Sequence, residues 1–238
     1  GISILDEQDS LNVVRDLLPE GTAPEMVRLA RTQVTRWKNR ALAAGETPAD
    51  FDSGGEAAIW RLYQRYEDHL RDLNGVDFDD LILQSLRALQ HEEARLHWQQ
   101  ALRYLLVDEY QDSNETQYRM LRLLAGDEGR FTAVGDDDQS IYGWRGAQPE
   151  NLQQLQRDYP NLHIVKLEQN YRSCGTVLKA ANALIAHNPR PIDKRLWSGL
   201  HDGERLSVIP CADQREEAAM IAAEARGPMT TASRASLS

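Results

Sequence analysis

The sequence predicts an α/β fold preceded by an N-terminal all-helical subdomain, and three observations carry that reading. Over the first hundred residues, apolar side chains recur every three or four positions, the period of a helix. From Tyr104 onward that period gives way to short apolar runs, each followed by a polar loop: Tyr104-Leu105-Leu106-Val107, Phe131-Thr132-Ala133-Val134 and Ile164-Val165-Lys166-Leu167. Helix-length segments separate the runs, as expected for strands buried on both faces and joined by right-handed crossovers into one parallel sheet.

The elements follow in order. Pro24 opens a segment in which Met26, Val27, Ala30, Val34 and Trp37 share one stripe, a Pro-initiated amphipathic helix whose other face carries Arg28, Arg31, Arg36 and Arg40. A second helix runs from about Glu56 to Leu73, with Ile59, Leu62, Tyr63, Tyr66, Leu70 and Leu73 as its buried stripe and Asn74-Gly75 as its stop. Asp77-Phe78-Asp79-Asp80-Leu81 opens a third, with carboxylates in the first turn where the helix dipole favours them. Between the apolar runs, helices are expected near Thr116 to Leu124 and Pro149 to Arg157. Another follows Ser173 through Ala186, with Val177, Leu178, Ala181, Leu184 and Ile185 on its core side and Asn188-Pro189 at its end. Arg205 to Pro210 reads as a further strand, and residues 227–238 as a disordered tail of small polar residues.

Composition excludes several classes. The 238 residues are 41% hydrophobic and 27% charged, an ordinary globular balance, and no apolar run approaches the roughly 18 residues of a membrane span. No membrane partner is therefore expected, and with no secretory signal pattern at the start the expected location is cytoplasmic. Cys174 and Cys211 make neither a disulfide framework nor a metal-binding pair. The net charge of -10 argues against a basic coat for nucleic acid, so any such site must be local.

In open parallel sheets, ligands bind beyond the carboxyl ends of the strands. The first run ends in Asp108-Glu109-Tyr110-Gln111-Asp112, an arrangement in which an Asp holds Mg²⁺ and the adjacent Glu orients or deprotonates an attacking water; alternatively the acids cap the next helix. The second ends in Gly135-Asp136-Asp137-Asp138-Gln139-Ser140. Oxygen ligands of this kind suit Mg²⁺ bound together with phosphate oxygens, the alternative being a solvated Gly-Asp turn. Ile141-Tyr142-Gly143-Trp144-Arg145-Gly146 follows, an aromatic and guanidinium loop on which bases can stack, unless Trp144 merely fills a hydrophobic gap. The third run leads into Glu168-Gln169-Asn170-Tyr171-Arg172-Ser173 at a helix start, where Arg172 suits a phosphoryl group and Tyr171 a purine. The alternative pairs Arg172 with nearby acids and makes Ser173 an N-cap.

Together these stretches, Val107–Asp112, Val134–Ala147 and Leu167–Ser173, resemble motifs II, III and IV of the UvrD/Rep/PcrA DNA helicases. Val76–Leu81 resembles a family segment upstream, and Lys179–Ala186 with Asn188-Pro189 resembles the Rep branch. The resemblance covers about Ile2 to Arg226. It implies a P-loop NTPase (RecA-like) sheet, here partial, in an ATP-dependent 3′-5′ helicase and single-stranded DNA translocase of replication or repair. ATP and Mg²⁺ would be its cofactors, and single-stranded and forked DNA its partners, beside replication or repair proteins the sequence does not name. Asp108 would coordinate Mg²⁺, Glu109 activate water, Gln139 sense the γ-phosphate, Tyr171 stack on adenine and Arg172 act as an arginine finger. Tyr142, Trp144 and Arg145 would contact DNA bases. Residues 1–89 would form the helical insertion called domain 1B, 90–168 the C-terminal part of ATPase domain 1A, and 169–226 the start of domain 2A.

The sequence departs from the family in one respect. None of its four lysines, Lys38, Lys166, Lys179 and Lys194, follows a Gly or precedes a Ser or Thr, so the chain holds no G-x-x-x-x-G-K-[ST] loop to cradle phosphates. By the resemblance that loop lies upstream and motifs V and VI downstream, so the chain reads as an internal fragment that turns over negligible ATP alone. A catalytically silent remnant that binds single-stranded DNA or a helicase partner is the alternative. A Mg²⁺-dependent phosphoryl-transfer protein such as a response regulator leaves Trp144-Arg145 and Asn170-Tyr171-Arg172 unexplained.

Overall fold

The computed structural model describes residues 1–42, 55–143, 147, 150–188 and 194–226, which divide into two compact units, Gly1–His163 and Ile164–Ser238. The first contains β1 (Ser3–Leu5), α1 (Glu7–Leu17), α2 (Pro24–Asn39), α3 (Gly55–Asp72), β2 (Gly75–Asp77), α4 (Phe78–Gln90), α5 (Glu92–Ala101), β3 (Leu105–Val107), α6 (Glu115–Ala125), β4 (Phe131–Ala133) and α7 (Asn151–Asp158). The second contains α8 (Gly175–Ile185) and α9 (Gln214–Arg226). The expected tail at 227–238 lies outside the described residues. No described helix is long and apolar enough to cross a membrane.

The N-terminal region is not all-helical. β1 and β2 pair in parallel, with Ser3 opposite Gly75 and Leu5 opposite Asp77. Strands of three residues are too short for a two-residue period to register, and their partner lies far along the chain. Asn74 ends α3 in the left-handed conformation at φ 49°, but Gly75 then enters the strand, where a Cβ would sit 2.8 Å from Leu5 Cδ1. Three helices have no counterpart in the sequence reading. α5 and α9 bury no residue and so print no apolar stripe, whereas α1 is announced by a capping box between Asp6 and Asp9.

The expected three-stranded sheet is reduced to two strands. β3 and β4 pair in parallel, Leu105 to Phe131 and Val107 to Ala133, but Ile164–Leu167 forms no strand, and only an isolated bridge joins Gln169 to Trp197. Nor is the sheet buried on both faces, since Leu106 is 81% exposed. In the second unit, α8 buries Leu178 but leaves Val177 and Leu184 exposed, and Arg205–Pro210 is an exposed, non-strand segment. An apolar stripe is buried, and a strand laddered, only where the unit supplies a facing element.

Two apolar cores result. The first gathers Val14, Val27, Ala30, Val34, Trp37, Trp60, Leu62, Tyr63, Tyr66 and Leu70 from α1, α2 and α3. Its centre is aromatic: Trp37 meets Trp60 edge-on at 4.7 Å and stacks on Tyr63 at 5.8 Å. Met26 and Leu73, expected in the stripes, are exposed. The second core packs Tyr110, Tyr118, Leu121, Ala125, Phe131 and Leu155 between α6, α7 and the β3–β4 sheet.

Beside the first core lies a buried ion network. The Lys38 side chain is wholly buried, its Nζ 2.8 Å from Glu67 Oε1, 2.9 Å from Asp80 Oδ1 and 3.0 Å from Asp77 Oδ2. Three carboxylates thus surround one ammonium, which donates a hydrogen bond to Asp77. Tyr66 donates its hydroxyl to Asp77 at 2.9 Å, and Arg31, expected on the solvated face of α2, turns inward to Asp77 and Asp79. Asp77 and Asp80 also close the capping box that starts α4, so the same carboxylates begin that helix and bind it to α2. Burial works against the Lys38 ammonium, yet Asp77, Glu67 and Asp80 outweigh it and hold the amine above its ordinary value. Burial pushes the Asp80 carboxyl up to about 6, against the pull of Lys38. Burial also opposes the Asp77 charge, but Lys38 and Arg31 prevail and draw that carboxyl below its ordinary value.

Lys38→Met leaves three buried carboxylates facing no ammonium and is expected to destabilise the chain by about 3–5 kcal/mol, read as a lower urea midpoint. A carboxyl whose pKa rises on folding stabilises most below its unfolded value, and that contribution is lost as pH rises through the folded value. For Asp80 the window therefore runs from the ordinary carboxylate range to about 6. The stability of Asp80→Asn relative to the parent is expected to improve from pH 4 to about pH 6 and to level off above it, in urea unfolding.

Candidate functional site

Parallel pairing of β3 and β4 puts both carboxyl ends at one edge of the sheet. The ladder continues past the strands, with Val134 N donating to Val107 O at 2.8 Å and Tyr110 N to Val134 O at 2.9 Å. The Asp108–Asp112 and Gly135–Ser140 loops are thereby held side by side. Asp108 and Glu109 are exposed, and no cation contacts either among the described residues. Glu109 adopts the left-handed conformation, φ 50° and ψ 41°, a strained choice for a side chain with a Cβ, and its N–H donates to Asp108 Oδ1 at 2.9 Å.

The two loops are joined through Gln111, which is buried to 1% exposure. Its Nε2 donates to Glu109 Oε2 at 2.7 Å, and its Oε1 accepts from Asp136 N at 3.0 Å. Asp136 in turn accepts Gln139 Nε2 at 2.7 Å and caps the short turn Asp137–Gln139 through Asp138 N at 3.2 Å. Ser140 Oγ donates to the Gln111 carbonyl at 3.2 Å. Glu109 and Gln139, which the sequence singles out separately, are thus connected by one chain of hydrogen bonds. Gln111 carries no motif signal of its own in the sequence beyond its place two residues past Glu109 at a strand end.

Gly135 permits this approach, since a Cβ there would lie 2.9 Å from Gln111 Oε1 and 3.3 Å from its backbone N. Asp136, Asp137 and Asp138 bring carboxylate oxygens within 4.8 Å of one another. Clustered oxygen ligands of this kind suit Mg²⁺, which binds one or two carboxylates together with substrate phosphates, and Asp108 is exposed at the end of the neighbouring strand. Tyr142 is 38% exposed, and its carbonyl accepts Ala147 N at 3.2 Å. Trp144 and Arg145, expected beside it, lie outside the described residues.

Tyr171 and Arg172 belong to the second unit. Asn170 Oδ1 accepts from Arg172 N at 2.9 Å and Ser173 N at 2.7 Å, a local turn that leaves Tyr171 77% exposed. The Arg172 guanidinium makes no ion pair among the described residues, so it does not neutralise nearby acids there. Two expectations at this helix start are corrected. The N-cap of α8 is Cys174, not Ser173, and gives no side-chain hydrogen bond. The Gly175 and Thr176 N–H groups donate to the carbonyls of His201 and Asp202 at 3.1 and 3.0 Å, so these amides are taken by backbone rather than open to an anion.

Gly135→Ala is expected to cost about 1–3 kcal/mol by overpacking against Gln111, measured by urea unfolding, and to separate the two loops.

Comparison with known proteins gives the same grouping. Residues 1–160 match the UvrD/REP helicase N-terminal domain, and residues 165–235 the UvrD-like helicase C-terminal domain. The chain is 44% identical over 225 residues to the ATP-dependent DNA helicase Rep of Escherichia coli (strain K12), an alignment that covers 93% of this chain and 33% of that protein. It is 44% identical over 229 residues to the protein of the same name in Salmonella typhimurium (strain LT2), covering 93% and 33%. To DNA helicase II of E. coli it is 38% identical over 222 residues, covering 92% and 31%. The chain thus spans about a third of the length of these curated relatives. With the first 160 residues matched continuously, and both acidic strand ends lying inside that match, the chain belongs to the UvrD/REP helicase family.

Proposed function

We propose that this chain is the part of an ATP-dependent, 3′-5′ single-stranded DNA translocase and helicase that carries the hydrolytic carboxylates. The single observation that supports this most is the hydrogen-bond chain from Glu109 through Gln111 and Asp136 to Gln139 at the end of a parallel sheet. In this reading Asp108 holds Mg²⁺ with the nucleotide phosphates, Glu109 activates the attacking water, and Gln139 reports the γ-phosphate. Mg²⁺ supplies charge neutralisation on the phosphates when bound. Tyr171 offers an exposed ring for adenine and Arg172 a guanidinium for the transferring phosphoryl group. Tyr142, with Trp144 and Arg145 after it, offers a stacking surface to bases. These 238 residues contain no Walker lysine, so the reading assigns them the water and sensor side of the nucleotide site and no phosphate cradle of their own.

The experiment compares two preparations. A full-length protein carrying these residues is expected to release phosphate from ATP in a DNA-stimulated manner, and Glu109→Gln to abolish it by about a hundredfold or more, the scale of general-base catalysis. The 238-residue chain alone is expected to match a buffer blank. In the same full-length protein, Tyr142→Ala is expected to weaken oligo-dT binding about 5- to 150-fold, in an assay whose affinity falls as salt rises. Full turnover in Glu109→Gln would overturn the reading.

A further inference from the structure

We propose that Gln111 is a positioning residue that ties the water-activating Glu109 to the 136–140 loop, so that a shift in that loop changes where Glu109 is held. The inference rests on the functional reading above and extends it to a residue that reading leaves without a role.

The geometry is specific to this side chain. The Gln111 carboxamide donates to a carboxylate on one side and accepts a backbone N–H on the other. Only one orientation of the amide satisfies both, because the reversed amide would face NH₂ to N–H and carbonyl to carboxylate. Glutamate has the reach but no donor, and asparagine is one methylene shorter. The grip on the loop is also two-ended: the side chain holds Asp136 at its start, and the main-chain carbonyl holds Ser140 at its finish. Between those points lie Asp136 and Gln139, which bond each other, and two residues beyond Ser140 comes Tyr142 at 38% exposure.

Nothing around the carboxamide allows slack. Gln111 is 1% exposed, and the Gly135 Cα lies so near that even a methyl group would crowd the Gln111 oxygen at 2.9 Å. Close packing of this kind passes a displacement on instead of absorbing it. If base stacking on Tyr142 or phosphate contact at Gln139 moves the 136–140 loop, the Asp136 N–H moves against Gln111 Oε1, and the donor on the same amide moves against Glu109. Gln111 touches neither nucleotide nor DNA in this account.

The test uses a full-length protein carrying these residues, with ATP turnover measured at saturating oligo-dT and without DNA. Gln111→Leu is expected to lower the ratio of DNA-stimulated to DNA-free turnover by about tenfold or more, the size of a lost charge-assisted hydrogen bond. The KM for ATP and the Kd for oligo-dT are expected to stay within about twofold. A ratio equal to that of the parent, whether the two rates fall together or not at all, overturns the proposal. If Gln111→Leu does not fold, Gln111→Glu carries the test, since it keeps the acceptor for Asp136 N–H but replaces the donor to Glu109 with a carboxylate oxygen that repels it. The same drop in ratio is expected there, and an unchanged ratio again overturns the proposal. Glu109→Gln run alongside separates the two levels: full turnover in that variant defeats the hydrolytic reading itself, whereas its loss with an unchanged Gln111 ratio defeats only the coupling.

Discussion

Parallel pairing of β3 with β4 forces two acidic loops into contact, and the rest of the candidate site answers that constraint. Asp108, Glu109 and Asp112 follow one strand while Asp136, Asp137 and Asp138 follow the next, and the last three bring carboxylate oxygens within 4.8 Å of one another. Like charges so placed repel. Within the described residues the loops are joined across the gap by the neutral carboxamide of Gln111, which donates to one side and accepts from the other. The arrangement leaves exposed acids directed to solvent, where a divalent cation carried by a phosphate ligand would relieve their repulsion.

The helical part of the first unit is fixed to this sheet by a different kind of contact. Lys38 brings Glu67 of α3, Asp77 at the end of β2 and Asp80 of α4 to one ammonium. Its own carbonyl accepts the Thr116 hydroxyl at 2.7 Å, and Asn39 accepts from Asn114, the N-cap of α6, at 2.9 Å. α6 is the helix that follows the Asp108–Asp112 loop, so the end of α2 sits against the element that carries that loop onward. A buried ion network adds little net stability over an apolar core of equal volume, but its geometry is demanding. Here it sets where α2, α3 and α4 meet.

Much of the site was legible in the sequence because strand ends punctuate it. An apolar run followed by Asp-Glu or Gly-Asp-Asp-Asp marks both the strand and its carboxyl end, and Asp108, Glu109 and Gln139 lie in the loops that follow the paired strands. The stripes of α2 and α3 were legible for the same local reason, Val27, Ala30, Val34 and Trp37 recurring at helical spacing and being buried. Arg31 and Lys38 were not: charge on a helix reads as a solvated face until a second element brings carboxylates to it. β1 and β2 were missed because three residues cannot display a period, and α5 because it buries nothing.

The sequence by itself therefore determined the identity of the acids, their order along the chain and the helical period of the N-terminal region, all properties of neighbouring residues. Tertiary structure decided what those residues meet. Only pairing of β3 with β4 brings Asp136 N to Gln111, only the approach of α2 to α4 buries Lys38, and along the apolar stripe of α8 it is tertiary contact that buries Leu178 and leaves Val177 and Leu184 exposed. The physical reason is range: periodicity and capping act over a few residues, whereas burial and ion pairing depend on partners far apart in sequence, whose positions no local pattern encodes.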